Sequence, residues 1–245
     1  MTMRVPARGV PLLWLCLSGC SGLFQSNAQP EQIYFLRAPP APGATASAAP
    51  AGAAAADADG ATASAASLAR MGVSIRIGHP LAAPGLDTAH IMLVQADHRM
   101  NFFAGSRWPA PLPNVVEALA VQTLRASNAW ASVEDSSSPF PSDYLLQVAV
   151  RRFEADYAES GSAPAVHVVL DCTVGRREGR DIIATFVASG TAAAAANRLS
   201  DVVAAFEQAS GAALNVLSQQ AAQSVRSDAQ RAAQNGEKPV PSATR

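Results

Sequence analysis

Val166-His167-Val168-Val169-Leu170-Asp171-Cys172-Thr173-Val174, the charged turn Gly175-Arg176-Arg177-Glu178-Gly179-Arg180, and then Ile182 to Ser189 read together as a β-hairpin. Alternation puts Val166, Val168, Leu170, Cys172 and Val174 on one face, and that face needs a cover. The next segment supplies one: from Arg198 to Val225, Leu199, Val203, Phe206, Ala213 and Leu217 form a stripe at helical spacing. Upstream, Tyr144, Leu146, Val148 and Val150 line one side of another strand, with Gln147, Ala149 and Arg151 on the other. Pro111 to Ser127 reads as a second amphipathic helix with proline near its start, presenting Leu112, Val116, Leu119 and Thr123 on one face. Val73 to Ile77, His90 to Val94, Arg99 to Phe103 and Trp130 to Val133 add strands. Two helices that each need a sheet to cover define a single α+β domain over 68–225, with a curved, mixed or largely antiparallel sheet.

Of the 245 residues, 49% are hydrophobic and only 15% charged, but much of the apolar share is alanine. In 38–67, 28 of 30 residues are Ala, Pro, Gly, Ser or Thr, the exceptions being Asp57 and Asp59. Four prolines and three glycines there break any polyalanine helix, so a disordered linker or loop is expected. It is either an insertion after a first strand at 31–37, which holds Ile33-Tyr34-Phe35-Leu36, or the later half of a long tether. After Arg226 the chain turns polar, and 226–245 reads as a disordered tail. With 18 Lys plus Arg against 19 Asp plus Glu and no basic run, nucleic acid is excluded as a partner.

The first 19 residues read as an export signal: Arg4 and Arg8 precede the apolar run Val10 to Leu17. That run is far short of the ~20 residues that span a bilayer. Leu17-Ser18-Gly19-Cys20 resembles the lipobox of bacterial lipoproteins, which implies cleavage before Cys20 and acylation of its thiol. By the same resemblance Ser21, rather than Asp, sorts the product to the outer membrane. Residues 20–30 become an acylated tether, and two or more chains anchor stably because each buried methylene adds ~0.8 kcal/mol. Cleavage removes two arginines and no acids, leaving 16 positive and 19 negative residues, so acyl chains and not a basic patch must hold the membrane. Cys16 leaves with the signal, Cys20 carries lipid, and Cys172 remains alone, read as a buried apolar thiol.

Enzyme signatures are scarce. No nucleophile elbow, phosphate-binding glycine loop or His-Glu-x-x-His motif occurs, and no metal or cofactor is expected. His79, His90, His98 and His167 lack ligand spacing, and Asp156 with Glu159 reads as a solvated acidic loop. Arg151-Arg152 and Arg176-Arg177 read as solubilising pairs, with contact to an acidic partner or phosphate as the sharper alternative. Trp108, pinned by Pro109 and Pro111, has two readings: a staple that closes the core, or, with Arg107, a partner contact.

Taken with the lipobox and Ile33-Tyr34-Phe35-Leu36, the successive motifs Pro84-Gly85-Leu86-Asp87-Thr88-Ala89-His90-Ile91, Asn101-Phe102-Phe103-Ala104-Gly105-Ser106-Arg107-Trp108 and Ala212-Ala213-Leu214-Asn215-Val216-Leu217-Ser218 resemble the ABC-type transport auxiliary lipoprotein family. The resemblance runs from Glu31 to Val225. It departs from the family pattern at Phe35, Ala110 and Ala221-Ala222. It implies a non-enzymatic, outer-membrane-anchored periplasmic component of a lipid or apolar-solute transporter, of the paraquat-inducible type. The implied partners are a mammalian-cell-entry subunit and the ABC permease and ATPase complex, with phospholipid or another apolar compound as the solute and a homo-oligomer left open. The competing reading is a stand-alone envelope scaffold or assembly lipoprotein that binds an outer-membrane protein or cell-wall polymer.

Overall fold

The computed structural model describes residues 31–40, 70–157 and 163–236. Their order is β1 (Gln32–Ile33), β2 (Ser74–Ile77), β3 (Leu81–Ala82), β4 (His90–Val94), β5 (Met100–Arg107), α1 (Leu112–Ala126), β6 (Ser132–Glu134), β7 (Tyr144–Asp156), β8 (Ala165–Arg176), β9 (Ile182–Ala193) and α2 (Leu199–Gly236). The expected α+β domain is present: among the described residues nine strands join in one mixed sheet, and both helices pack on it. The signal segment, Cys20, Ser21, residues 41–67 of the low-complexity segment with the two that follow it, and residues 237–245 lie outside the described residues.

The 13-residue β7 is the spine of the sheet. One edge pairs antiparallel with β8 along nearly its whole length, and β8 pairs antiparallel with β9 in the expected hairpin. The other edge is covered in succession by three short parallel strands: Ile75 to Ile77 of β2 beside Tyr144 to Leu146, β3 beside Ala149 and Val150, and Leu93 and Val94 beside Ala155 and Asp156. β6 then adds to β2, and β5 to β4, with β1 on the end of β5. The alternation in β7 changes phase at a bulge between Val150 and Arg152. Tyr144, Leu146, Val148 and Val150 face the core before it; Phe153 and Ala155 do so after it.

Both helices lie over that core face. α1 starts where Pro111 and Pro113 preset the backbone, and its first turn is tied down by the Leu112 N–H donating to the Thr88 carbonyl at 2.9 Å. The Trp108 N–H donates to Ala89 O at 2.7 Å, so the Leu86-Asp87-Thr88 corner, with Leu86 fully buried, fixes both the end of β5 and the start of α1. Along α2, Val202, Phe206, Ala209, Ala213, Leu217, Ala221 and Val225 are buried at three- and four-residue steps. Alanines there have a purpose the composition hides: they let the helix backbone approach the sheet. At Gly190 of β9 the approach is closest, since a Cβ would stand 2.1 Å from Ala209 O and 2.9 Å from Ala212 Cβ.

Two expectations are corrected, and one strand is added. The first strand shortens from 31–37 to Gln32–Ile33, because β5 offers it only Ser106 and Arg107 as partners. β3, two residues long, adds a strand where the sequence pattern predicts none. The polar tail does not begin at 226: α2 continues to Gly236 because Asp228, 4% exposed, falls on the buried stripe three residues after Val225 and finds a cation there.

Gly190→Ala is expected to lower stability by about 1–3 kcal/mol in urea denaturation, the usual cost of overpacking. Gly72→Ala, where a Cβ meets nothing within 4 Å, should leave the midpoint unchanged.

Candidate functional site

Trp108 is 1% exposed and packs edge-on against Phe153 of β7 and Phe206 of α2, with centroids 6.1 and 5.3 Å away; Phe153 and Phe206 stack at 5.2 Å. Of its two readings, the core staple is the one this geometry fills, and a buried ring cannot reach a partner. Arg107, half-buried beside it, sits where β5 meets both β4 and β1: it is the register partner of His90 and of Ile33, and its carbonyl accepts from the Tyr34 N–H at 2.9 Å. Cys172 is buried, and burial together with the charge of Asp171 pushes its thiol up to about 12, which removes it as a nucleophile near neutral pH. Among the described residues no group of three or more His, Cys, Asp or Glu is placed to hold a metal, and no helix is long and apolar enough to cross a membrane. Glu159 lies outside the described residues, while Asp156 accepts from Arg152 at 3.1 Å.

The arginine pairs divide by neighbourhood. Arg151 makes two bonds to Asp171, and Arg152 reaches Glu154 at 2.5 Å and Asp156. Arg176 forks onto Asp228, with both contacts from its terminal nitrogen at 2.7 Å, and the Tyr144 hydroxyl donates to the same carboxylate at 3.0 Å. The Arg176 bond, against the opposing cost of burial, holds the Asp228 carboxyl below the usual carboxylate range. Burial pushes the Tyr144 hydroxyl up, and the Asp228 charge beside it adds to that. A second polar contact closes α1 over the sheet edge. Glu117 accepts from the Ser136 N–H at 2.8 Å and lies 3.0 Å from His79 Nδ1; burial opposes these bonds, yet its carboxyl ends below its ordinary value.

Three further guanidinium groups, those of Arg76, Arg177 and Arg180, gather with Arg176 at the turn end of the sheet. Register places Arg76 of β2, Leu145 of β7, Gly175 of β8 and Ile182 of β9 in one row across four strands. Gly175 leaves a gap in that row between two exposed aliphatic side chains, Leu145 at 41% and Ile182 at 69%. The gap is the floor of a cavity of about 440 Å³, rimmed by Arg76, Arg176, Arg177 and Arg180. Sequence reading singled out Arg176-Arg177, with contact to an acidic partner or phosphate as the sharper alternative, but missed Arg76 and Arg180, because Arg76 is remote in the chain and only the parallel pairing of β2 with β7 brings it near the hairpin turn. The available signal was the turn itself, with three arginines in five residues.

The residues from 55 to 225 match the family model of the ABC-type transport auxiliary lipoprotein component. The chain belongs to this family. The motifs that carried the resemblance now have positions: Leu86-Asp87-Thr88 at the corner before β4, Arg107-Trp108 at the end of β5, and the alanine-rich segment on the buried face of α2. Protein XCC0632 from Xanthomonas campestris shares the fold at a TM-score of 0.65 and 22% identity, with 81% of this chain and 99% of that one covered. An uncharacterized protein of known crystal structure aligns at a TM-score of 0.52 and 15% identity, covering 62% of this chain and 94% of its own. No curated protein matches the chain.

Tyr144→Phe is expected to cost about 1 kcal/mol, one buried hydrogen bond to a charged acceptor. The depressed Asp228 carboxyl stabilises the fold fully above its unfolded value of about 3.9 and loses that contribution as pH falls through the lower folded value. Urea midpoints of wild type and Asp228→Asn should therefore differ at pH 7 and converge as pH drops below about 4.

Proposed function

We propose that this chain is the outer-membrane-anchored, non-catalytic auxiliary lipoprotein of an ABC-type system that moves lipid or another apolar solute across the envelope. The observation that carries the reading is the family match over residues 55–225. In it, Cys20 becomes the acylated first residue, Ser21 directs the product to the outer membrane, and the domain faces the periplasm. The folded part then acts by docking on a mammalian-cell-entry subunit held by the permease and ATPase complex.

The sheet supports a docking role at one edge. β1 covers only Ser106 and Arg107 of β5, which leaves the edge from Met100 to Gly105 without a neighbouring strand among the described residues. Met100 and Phe102 are 47% and 45% exposed there, on one side of the strand, with His90 stacked on Phe102 at 4.4 Å. An unpaired strand edge carrying exposed apolar side chains is suited to adding a partner's strand or packing its surface.

Cys20→Ala is expected to move the protein from the membrane fraction to the soluble periplasmic fraction. Phe102→Glu should leave membrane attachment and the urea midpoint intact while lowering crosslinked recovery of the mammalian-cell-entry subunit at least about 10-fold, as loss of a central aromatic contact does. Full recovery of that subunit with Phe102→Glu would remove the edge from the interface, and no crosslinking of wild type to any transporter subunit would overturn the docking role.

A further inference from the structure

We propose that the cavity across β2, β7, β8 and β9 binds a single anionic amphiphile, a phosphate or carboxylate headgroup joined to hydrocarbon. The inference rests on the cavity alone and does not require the transport reading. Its charge is unbalanced where a ligand would sit. Arg176 is matched by Asp228, but among the described residues no acid forms an ion pair with Arg76, Arg177 or Arg180. Arg76 donates from one terminal nitrogen to the Phe140 carbonyl, and its Nε is buried with no partner. Nearby acids are turned to other tasks or stand outside the lining. Asp143 accepts from the Ser74 N–H and Oγ, both at 2.7 Å, while Glu178 and Asp181 of the same turn do not line the cavity. Three guanidinium groups around one hollow present forked donors suited to a phosphate or carboxylate.

The floor decides between a bare anion and an amphiphile. Gly175 separates Leu145 and Ile182, so two exposed aliphatic side chains flank a trough with no side chain between them. Hydrocarbon laid in that trough removes apolar surface from water; inorganic phosphate or an acidic peptide leaves it wet. The turn also places one cation at a conformational cost. Gly179 and Arg180 both have positive φ, 78° and 58°, and a left-handed arginine is held where glycine or asparagine would sit without strain. In that position Arg180 lines the cavity.

The test uses the full chain in phosphatidylcholine nanodiscs, titrated calorimetrically with dihexanoyl phosphatidate, dihexanoyl phosphatidylcholine, inorganic phosphate and hexaglutamate. Phosphatidate is expected to bind at least about 10-fold more tightly than each of the others, since one charge-assisted contact corresponds to about that factor. Arg180→Gly relieves the left-handed strain, so its urea midpoint should hold or rise while phosphatidate affinity falls about 10-fold. Ile182→Asn should bring phosphatidate down toward inorganic phosphate. Equal affinity for phosphatidate and phosphatidylcholine, equal affinity for phosphatidate and phosphate, preference for hexaglutamate, or no binding by wild type would each overturn the proposal. None of these results bears on docking, which the Phe102→Glu crosslinking reads separately.

Discussion

Everything in this domain depends on how closely α2 can lie against the hairpin of β8 and β9. The core face of that hairpin, from Val166 to Val174, is buried and apolar throughout, and α2 supplies most of its cover. Gly190 removes the side chain that would hold the helix away, and the small residues Ala209 and Ala212 answer it from the other side. Once the backbones are close, Phe206 reaches past the strands to stack on Phe153 and receive the edge of Trp108. The helix–sheet approach, the β7 bulge that turns Phe153 inward, and the proline-set entrance to α1 thus meet in one aromatic cluster. Loosening any of them exposes large apolar area, each fully buried side chain of this size contributing roughly 1.5–3 kcal/mol.

The same closeness divides the molecule's chemistry between two faces. On the covered face the buried charges are paired, as at the far end of α2, where Asp228, Arg176 and Tyr144 satisfy one another. The uncovered face keeps its charges: internal ion pairs around Arg151 and Arg152, and Arg76, Arg177 and Arg180 near the turn. The two surfaces proposed to bind, on the open face and on the β5 edge, therefore lie away from the packing that holds the fold. A binding and positioning component needs that separation, since a partner can be engaged without disturbing the core.

Much of this was legible in the residues. The period-two pattern of β8 and β9, the helical stripe of α2 and the proline-marked α1 each signal their element locally, and together they define the α+β class. Cys172 could be placed inside because it shares the Val166 to Val174 face. What escaped reading was non-local or too short. β3 is two residues, below the length at which alternation means anything. The bulge after Val150 shifts the pattern of β7 by one residue, which a fixed period does not follow. Asp228 reads as the start of a polar tail until the stripe is extended by three residues and Arg176 is seen opposite. The cavity needs Arg76 carried across a parallel pairing that no local pattern encodes, and Trp108 could be assigned to the core only once Phe153 and Phe206 were placed around it.

The central claim is that this fold works as a lipid-anchored docking component, and native mass spectrometry of complexes extracted from membranes tests it most directly. The account predicts a chain that begins at Cys20, carries the mass of its acyl groups, and travels bound to a mammalian-cell-entry subunit. A chain with an unmodified Cys20, recovered free of any transporter subunit, would contradict it.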